Sequence, residues 1–140
     1  MPDTGAYVLD ACAMIAFLNK ETGAETVAGL IKKADDRKIS LYMTSIQALE
    51  VYYDRIRIKG RAYADGFLQA LYASSINIIP HVSRANIRIA GYFKTHYSLS
   101  LADAVAIAAA YSLPAVLVTG DHHELEPVEN GEDITFYWFR

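Results

Sequence analysis

The chain contains a single cysteine, Cys12, so no disulfide can form within it, a condition that suits a reducing cytosol. It lacks any apolar run of the ~18–20 residues needed to cross a bilayer. Met1 to Ala6 carries no basic segment ahead of its apolar residues, so no secretory leader is expected and the expected location is cytoplasmic. Positive charge is not in excess. With 13 Lys and Arg against 16 Asp and Glu, the formal net charge is −3. That excludes a broad electrostatic grip on nucleic acid but leaves room for a local basic patch. No Gly-x-Gly-x-x-Gly follows the first apolar run, which speaks against a dinucleotide-binding protein. Repeats, linkers and low-complexity segments are missing too. The 140 residues therefore read as one domain, residues 1–140, a length that buries roughly two-thirds of the unfolded surface. With 53% hydrophobic and 21% charged residues, it belongs among folded globular chains.

The most informative stretch runs from Ser100 to Asp121. From Asp103 to Leu113 the residues are almost all helix formers or apolar, with alanine at 104, 106, 108, 109 and 110. Ser100 is placed as an N-cap, and Asp103 falls three residues later, at the acid position of a capping box. Pro114 stops the helix. Ala115 to Val118 is an unbroken apolar run, as expected of a parallel strand covered on both faces, and it leads through Thr119 and Gly120 to Asp121. Open α/β sheets place their ligands beyond the carboxyl ends of strands, where Asp121 falls.

The rest of the chain repeats this alternation. Ala6 to Leu9 is a short apolar strand that ends on Asp10, and Ala11 to Leu18 follows as a small-residue helix. Gly23 to Lys38 carries Val27, Leu30, Ile31 and Ala34 at helical spacing, with charges on the other side. Ser40 to Met43 predicts a second strand. Thr44 or Ser45 can cap a helix bearing Ile46, Leu49, Glu50, Tyr53 and Ile56, and Gly60 separates it from another over Arg61 to Ser74. Ile76 to Ile79 is a third strand, closed by Pro80, and Ser83 to His96 a further helix. Gly120 to Gly131 reads as a polar, acidic connection in which His122 and His123 are solvated loop residues. Ile134 to Phe139 alternates as a final edge strand. Strand and helix in alternation predict an α/β fold with a parallel sheet and helices on both faces.

Four acids stand out. Asp10 and Asp121 end apolar strands, Asp103 starts a helix, and Glu50 stands among Ile46, Ala48, Leu49, Val51 and Tyr52, where a charge is normally avoided. A buried carboxylate must meet a cation or be neutralised, and no Lys or Arg sits near any of the four in sequence. Singly, each has an ordinary explanation as a cap, a turn residue or part of a solvated face. Together they favour one site. Oxygen ligands without His or Cys suit Mg²⁺ or Mn²⁺, and such an ion activates water and offsets charge on a phosphate during in-line displacement. The densest basic run is Arg55, Arg57, Lys59 and Arg61, with Arg84 and Arg88 one turn apart on a later helix. Phosphate contact and a solvated helix face are equally good readings of these side chains. The apolar and tyrosine content of the helices from 46 to 72 exceeds what one small core requires, and predicts a homodimer.

Val8-Leu9-Asp10, Thr44-Ser45 through Leu49-Glu50-Val51, Ser100-Leu101-Ala102-Asp103-Ala104 and Val118-Thr119-Gly120-Asp121 resemble, in order and spacing, the pattern of PIN-domain ribonucleases. The resemblance spans essentially the whole chain, and the size is most similar to VapC-type toxins of toxin–antitoxin pairs. It implies a three-layer α/β/α sandwich with a five-stranded, mostly parallel sheet. It further implies that Asp10, Glu50, Asp103 and Asp121 surround one or two Mg²⁺ or Mn²⁺ ions, with Thr119 supporting the last acid. The implied activity is metal-dependent cleavage of RNA, held in check by a cognate antitoxin protein. One departure matters: the family usually has a serine or threonine just after its first acid, where this chain has Ala11-Cys12-Ala13. The missing hydroxyl removes support from a metal ligand, and it keeps open a PIN-like binding module without catalysis. An aspartate-based phosphatase with Asp10 as nucleophile is a further alternative, although that chemistry wants a second acid two residues on, where Cys12 stands.

Overall fold

Five strands, all parallel, lie in the order β3-β2-β1-β4-β5. They are β1 (Ala6–Leu9), β2 (Ser40–Thr44), β3 (Asn77–Ile79), β4 (Val116–Thr119) and β5 (Phe136–Trp138). The helices between them are α1 (Ala11–Asn19), α2 (Ala24–Asp35), α3 (Ser45–Lys59), α4 (Arg61–Ala73), α5 (Arg84–His96), α6 (Leu101–Ser112) and α7 (His122–Gly131). This computed structural model describes residues 5–140; Met1 to Thr4, on which most of the leader expectation rests, lie outside them.

Strand periodicity divides the core into two halves. Tyr7, Leu9, Leu41, Met43, Val116 and Val118 point to one face, where they meet Met14, Val27, Leu30, Val51 and Leu71 of α1 to α4. Val8, Leu117 and Phe136 point to the other, against Phe93, Ala106, Ile107 and Leu125 of α5 to α7. The result is the expected three-layer sandwich. Helix α6 is buried along nearly its whole length, from Ala104 to Ala110, because a run of alanines lets a helix approach the sheet without displacing side chains.

The expected elements are present with ends shifted by up to three residues, apart from one segment. Gly120 to Gly131 was expected to be a polar connection; from His122 it is helix α7, capped by Asp121, whose carboxylate accepts from Glu124 N at 3.2 Å. Leu125 and Val128, three apart, are its buried contacts, and Pro127 lies inside it. So few apolar residues among so many polar ones hide a helical period. His122 is correspondingly not a loop histidine: its ring stacks on Trp138 at 4.1 Å between centroids.

Topology places the functional end. The strand order reverses between β1 and β4, and ligands of open α/β sheets bind at such a switch point, beyond the carboxyl ends of the strands. The residues that follow β1 and β4 there are Asp10 and, two past the strand end, Asp121.

Candidate active site

Asp10 leaves β1 into α1 and serves as its N-cap, accepting from Ala13 N at 2.8 Å. The carboxylate is 1% exposed. Thr119, the last residue of β4, is fully buried and bridges the two strand-end acids: its hydroxyl bonds the Asp10 carboxylate, and its oxygen accepts from Asp121 N at 3.1 Å. One hydroxyl thus ties together the two sides of the switch point.

Asp103 begins α6, and the geometry there differs from the expected capping box in an instructive way. Ser100 Oγ accepts from Asp103 N at 3.1 Å, as the box requires. The reciprocal bond, to Ser100 N, is made by Glu124 of α7 and not by Asp103. A carboxylate from another helix therefore completes the cap, and the Asp103 side chain is released toward the acids. Its Oδ1 accepts from Gln47 Nε2 at 3.1 Å.

Gln47 was not singled out in the sequence, yet it is 0% exposed and uses its whole amide. Its Oε1 accepts from Ala11 N at 2.7 Å, while Nε2 donates to Ala102 O and to Asp103 Oδ1, both at 3.1 Å. Three acid-bearing segments meet on this one side chain: the start of α1 after Asp10, the turn of α3 before Glu50, and the start of α6. Gln47→Leu keeps the volume but leaves the buried Ala11 N–H unpaired, and should lower stability by about 2 kcal/mol. Urea unfolding in chelator measures this, and a loss under about 0.5 kcal/mol would show that the amide network is dispensable.

One oxygen each of Asp103, Asp121 and Glu124 lies within 4.8 Å of the other two. Asp10 and Glu50 stand around this trio. Burial pushes the Asp10 carboxyl up to about 7; the bonds from Thr119 and Ala13 work against that, and the charges of Asp121 and Glu50 add to it. Asp103 is pushed up to about 8, first by burial, then by its hydrogen bond with Glu124 and the charge of Asp10. Glu50 is raised by burial and by Glu124. At the edge of the cluster burial raises the Cys12 thiol to about 11, with Asp10 and Asp121 adding to the shift and Arg140 opposing it. Among the described residues no ion pair joins a Lys or Arg to any of the five acids. An all-oxygen donor set without a protein cation to balance it fits a hard divalent ion, Mg²⁺ or Mn²⁺. Glu124 is the ligand candidate that the sequence reading missed.

The basic residues are less uniform than expected. Arg55 is 1% exposed, with Nη2 on Asp54 Oδ2 at 2.6 Å and Nη1 on Asn19 Oδ1 at 2.9 Å. It is an internal strut and offers no face to a phosphate. Arg57 is exposed and pairs loosely with Asp54 at 3.4 Å, and Arg61, Arg84 and Arg88 are exposed.

A family model described as the PIN domain matches residues 7–128. No curated protein matches the chain in sequence. Among solved structures, DNA-bound VapBC from Salmonella typhimurium aligns with a TM-score of 0.72 at 13% identity, covering 96% of this chain and 98% of that one. A toxin–antitoxin complex from Klebsiella pneumoniae aligns at 0.70 and 15% identity, with 96% and 98% covered. VapC20 of Mycobacterium tuberculosis, described as a sarcin–ricin-loop-cleaving toxin, aligns at 0.66 and 13% identity, with 91% and 96% covered.

Proposed function

This chain belongs to the PIN domain family, and from that premise we propose that it is a metal-dependent endoribonuclease, the toxin of a toxin–antitoxin pair. The observation that carries the reading is the trio of Asp103, Asp121 and Glu124 oxygens within 4.8 Å of one another, gathered at the switch point with Asp10 and Glu50 beside it. A bound Mg²⁺ or Mn²⁺ supplies an activated water and offsets charge on the phosphate; Asp103, Asp121 and Glu124 would hold it, with Asp10 and Glu50 as the adjoining carboxylates. The chain's own part is orientation. Thr119 fixes Asp10 relative to Asp121, Gln47 fixes Asp103, and the Glu124–Ser100 bond brings α7 against α6. Asp10 is buried and engaged as a helix cap, which leaves it no open approach to phosphorus and favours a ligand's role over a phosphatase nucleophile's.

The structural neighbours described as toxin–antitoxin complexes support a cognate antitoxin as partner. Leu49, Tyr53, Ile58, Tyr63 and Tyr72 on α3 and α4 are all well exposed, and this apolar surface supports protein contacts there, a homodimer included. Among the described residues no helix is long and apolar enough to cross a membrane. Arg57, Arg61, Arg84 and Arg88 are the exposed candidates for backbone contact.

Because water and not the RNA 2′-hydroxyl attacks phosphorus in this chemistry, the products should carry 5′-phosphate and 3′-hydroxyl ends. Incubating the purified protein with RNA in Mg²⁺, Mn²⁺ or chelator, followed by end analysis, tests the reading. Cyclic phosphate ends, or undiminished cleavage in excess chelator, would refute it.

A further inference from the structure

Beyond β5 the chain runs on beside the end of β4. Phe139 is 4% exposed, and its N–H donates to Thr119 O at 3.1 Å. Two glycines make room for these last residues. A Cβ on Gly23, whose φ is +89°, would lie 2.5 Å from Phe139 O, and one on Gly120 would lie 2.8 Å from Arg140 Nε. His122 Nε2 donates to Arg140 O at 2.8 Å. Residue 140 is therefore fixed by its backbone and by the space beneath it, directly over the glycine that precedes Asp121.

Its side chain is fixed as well. Arg140 Nη1 donates to Glu21 Oε1 at 2.9 Å, and Nη2 reaches Cys12 Sγ at 3.4 Å. Asn19 Nδ2 donates to the other Glu21 oxygen at 2.9 Å, and Asn19 Oδ1 accepts from the buried Arg55. A continuous polar chain thus runs from Asp54 and Arg55 inside α3, through Asn19 and Glu21, to a guanidinium at the rim of the acids. That chain gives the otherwise unexplained burial of Arg55 a purpose.

We propose that Arg140 binds a non-bridging phosphate oxygen of the RNA strand at the rim of the acid cluster, with Glu21, Asn19 and Arg55 fixing its position. The proposal rests on the nuclease reading and names the group that brings the scissile strand to the acids. A carboxylate cluster repels a polyanion, so a cation is needed where the strand enters. The guanidinium has five N–H donors in a rigid fork that matches a phosphate, and the two bonds above use two of them. A thiol sulfur is a weak acceptor, so a phosphate oxygen displaces Cys12 from Nη2 readily while the Glu21 bond persists. Arg140 is joined by no ion pair to the acids themselves among the described residues; its pair is with Glu21. A purely structural strut at this place would contribute little, since a solvent-open ion pair is screened and must offset the entropy of holding two side chains.

The test compares wild type, Arg140→Gln, Arg140→Lys and Glu21→Gln. Binding of a labelled single-stranded RNA is followed by anisotropy in chelator across a salt series, and cleavage in Mn²⁺ is followed in parallel. Arg140→Gln should bind about tenfold more weakly, with a salt slope shallower by about one, at a melting temperature close to wild type. Arg140→Lys should recover the slope but only part of the affinity, and Glu21→Gln should shift affinity the same way by less. Unchanged affinity and slope in Arg140→Gln, with wild type cleaving normally, overturns the proposal and leaves the nuclease reading standing. A wild type that neither binds nor cleaves RNA overturns the nuclease reading itself, and this proposal with it.

Discussion

Asp103→Asn is expected to abolish RNA cleavage, by at least about 100-fold, while leaving the metal-free protein at pH 7 as stable as wild type or more so. The two effects separate because the carboxylate takes no part in the helix cap. Ser100 Oγ caps α6 through the backbone N–H of residue 103, and Glu124 supplies the return bond, so neither is lost. Asparagine can still accept from Gln47 through its oxygen, and its amide can donate to Glu124. What disappears is a carboxyl that burial, Glu124 and Asp10 keep protonated in the fold at pH 7 although the unfolded chain ionises it, a cost of ~1 kcal/mol for each pKa unit relieved. Added Mg²⁺ should raise the melting temperature of wild type and hardly move the variant. Strong destabilisation of Asp103→Asn in chelator would make Asp103 a structural cap after all, and equal stabilisation of both proteins by metal would put the ion elsewhere.

The metal-free protein should lose stability as pH rises from about 4 to about 8. Asp10 and Asp103 are raised from the ordinary 3.8 to about 7 and about 8. Below pH 4 both the folded and unfolded chains hold these protons, and the penalty is absent. Between the unfolded and folded values the folded chain binds more protons than the unfolded one, so stability falls with increasing pH. Above about 8 both states are ionised and the dependence levels off. Relaxation and solvent screening bring the combined effect to the order of 2–4 kcal/mol. Saturating Mg²⁺ should flatten this slope, because the ion holds the carboxylates ionised and occupies only the folded site. Chemical denaturation at a series of pH values, with and without metal, reads it directly. A chelated protein that grows more stable over this range would contradict the shared-site geometry.

Much of this arrangement was legible in the sequence because it was written in short, local signals. Apolar runs ending on Asp10 and Asp121 marked the strands and their functional ends, and Ser100 followed by Asp103 marked the start of α6. Other parts were hidden for physical reasons. Helix α7 shows only Leu125 and Val128 on its buried side, and Asp121, standing just past an apolar run, presents itself first as an acid at a strand end. Asp121 and Glu124 stand three apart, as N-cap and acid do in a capping box; that spacing could have revealed both the helix and the extra carboxylate. Arg55 drops out of the basic run because residues two apart on a helix lie about 200° around its axis. Arg55 and Arg57 cannot share a face, and one is buried while the other is exposed. Gln47 gave no signal of its own, since its importance depends on Ala11, Ala102 and Asp103 converging from distant parts of the chain. Arg140 is of the same kind: its neighbours Glu21 and Cys12 lie near the other end of the sequence.

Calorimetric titration of Mn²⁺ into metal-free protein at pH 7, repeated in buffers of different ionisation enthalpy, probes the carboxylate cluster most directly. The predicted result is saturable binding whose apparent enthalpy varies with the buffer, because protons held by Asp10 and Asp103 are released when the ion enters. Asp121→Asn should weaken the binding at least about tenfold. Saturable binding that is independent of buffer and unaltered in Asp121→Asn, or no binding at all, would contradict the claim that these five acids form one divalent-ion site.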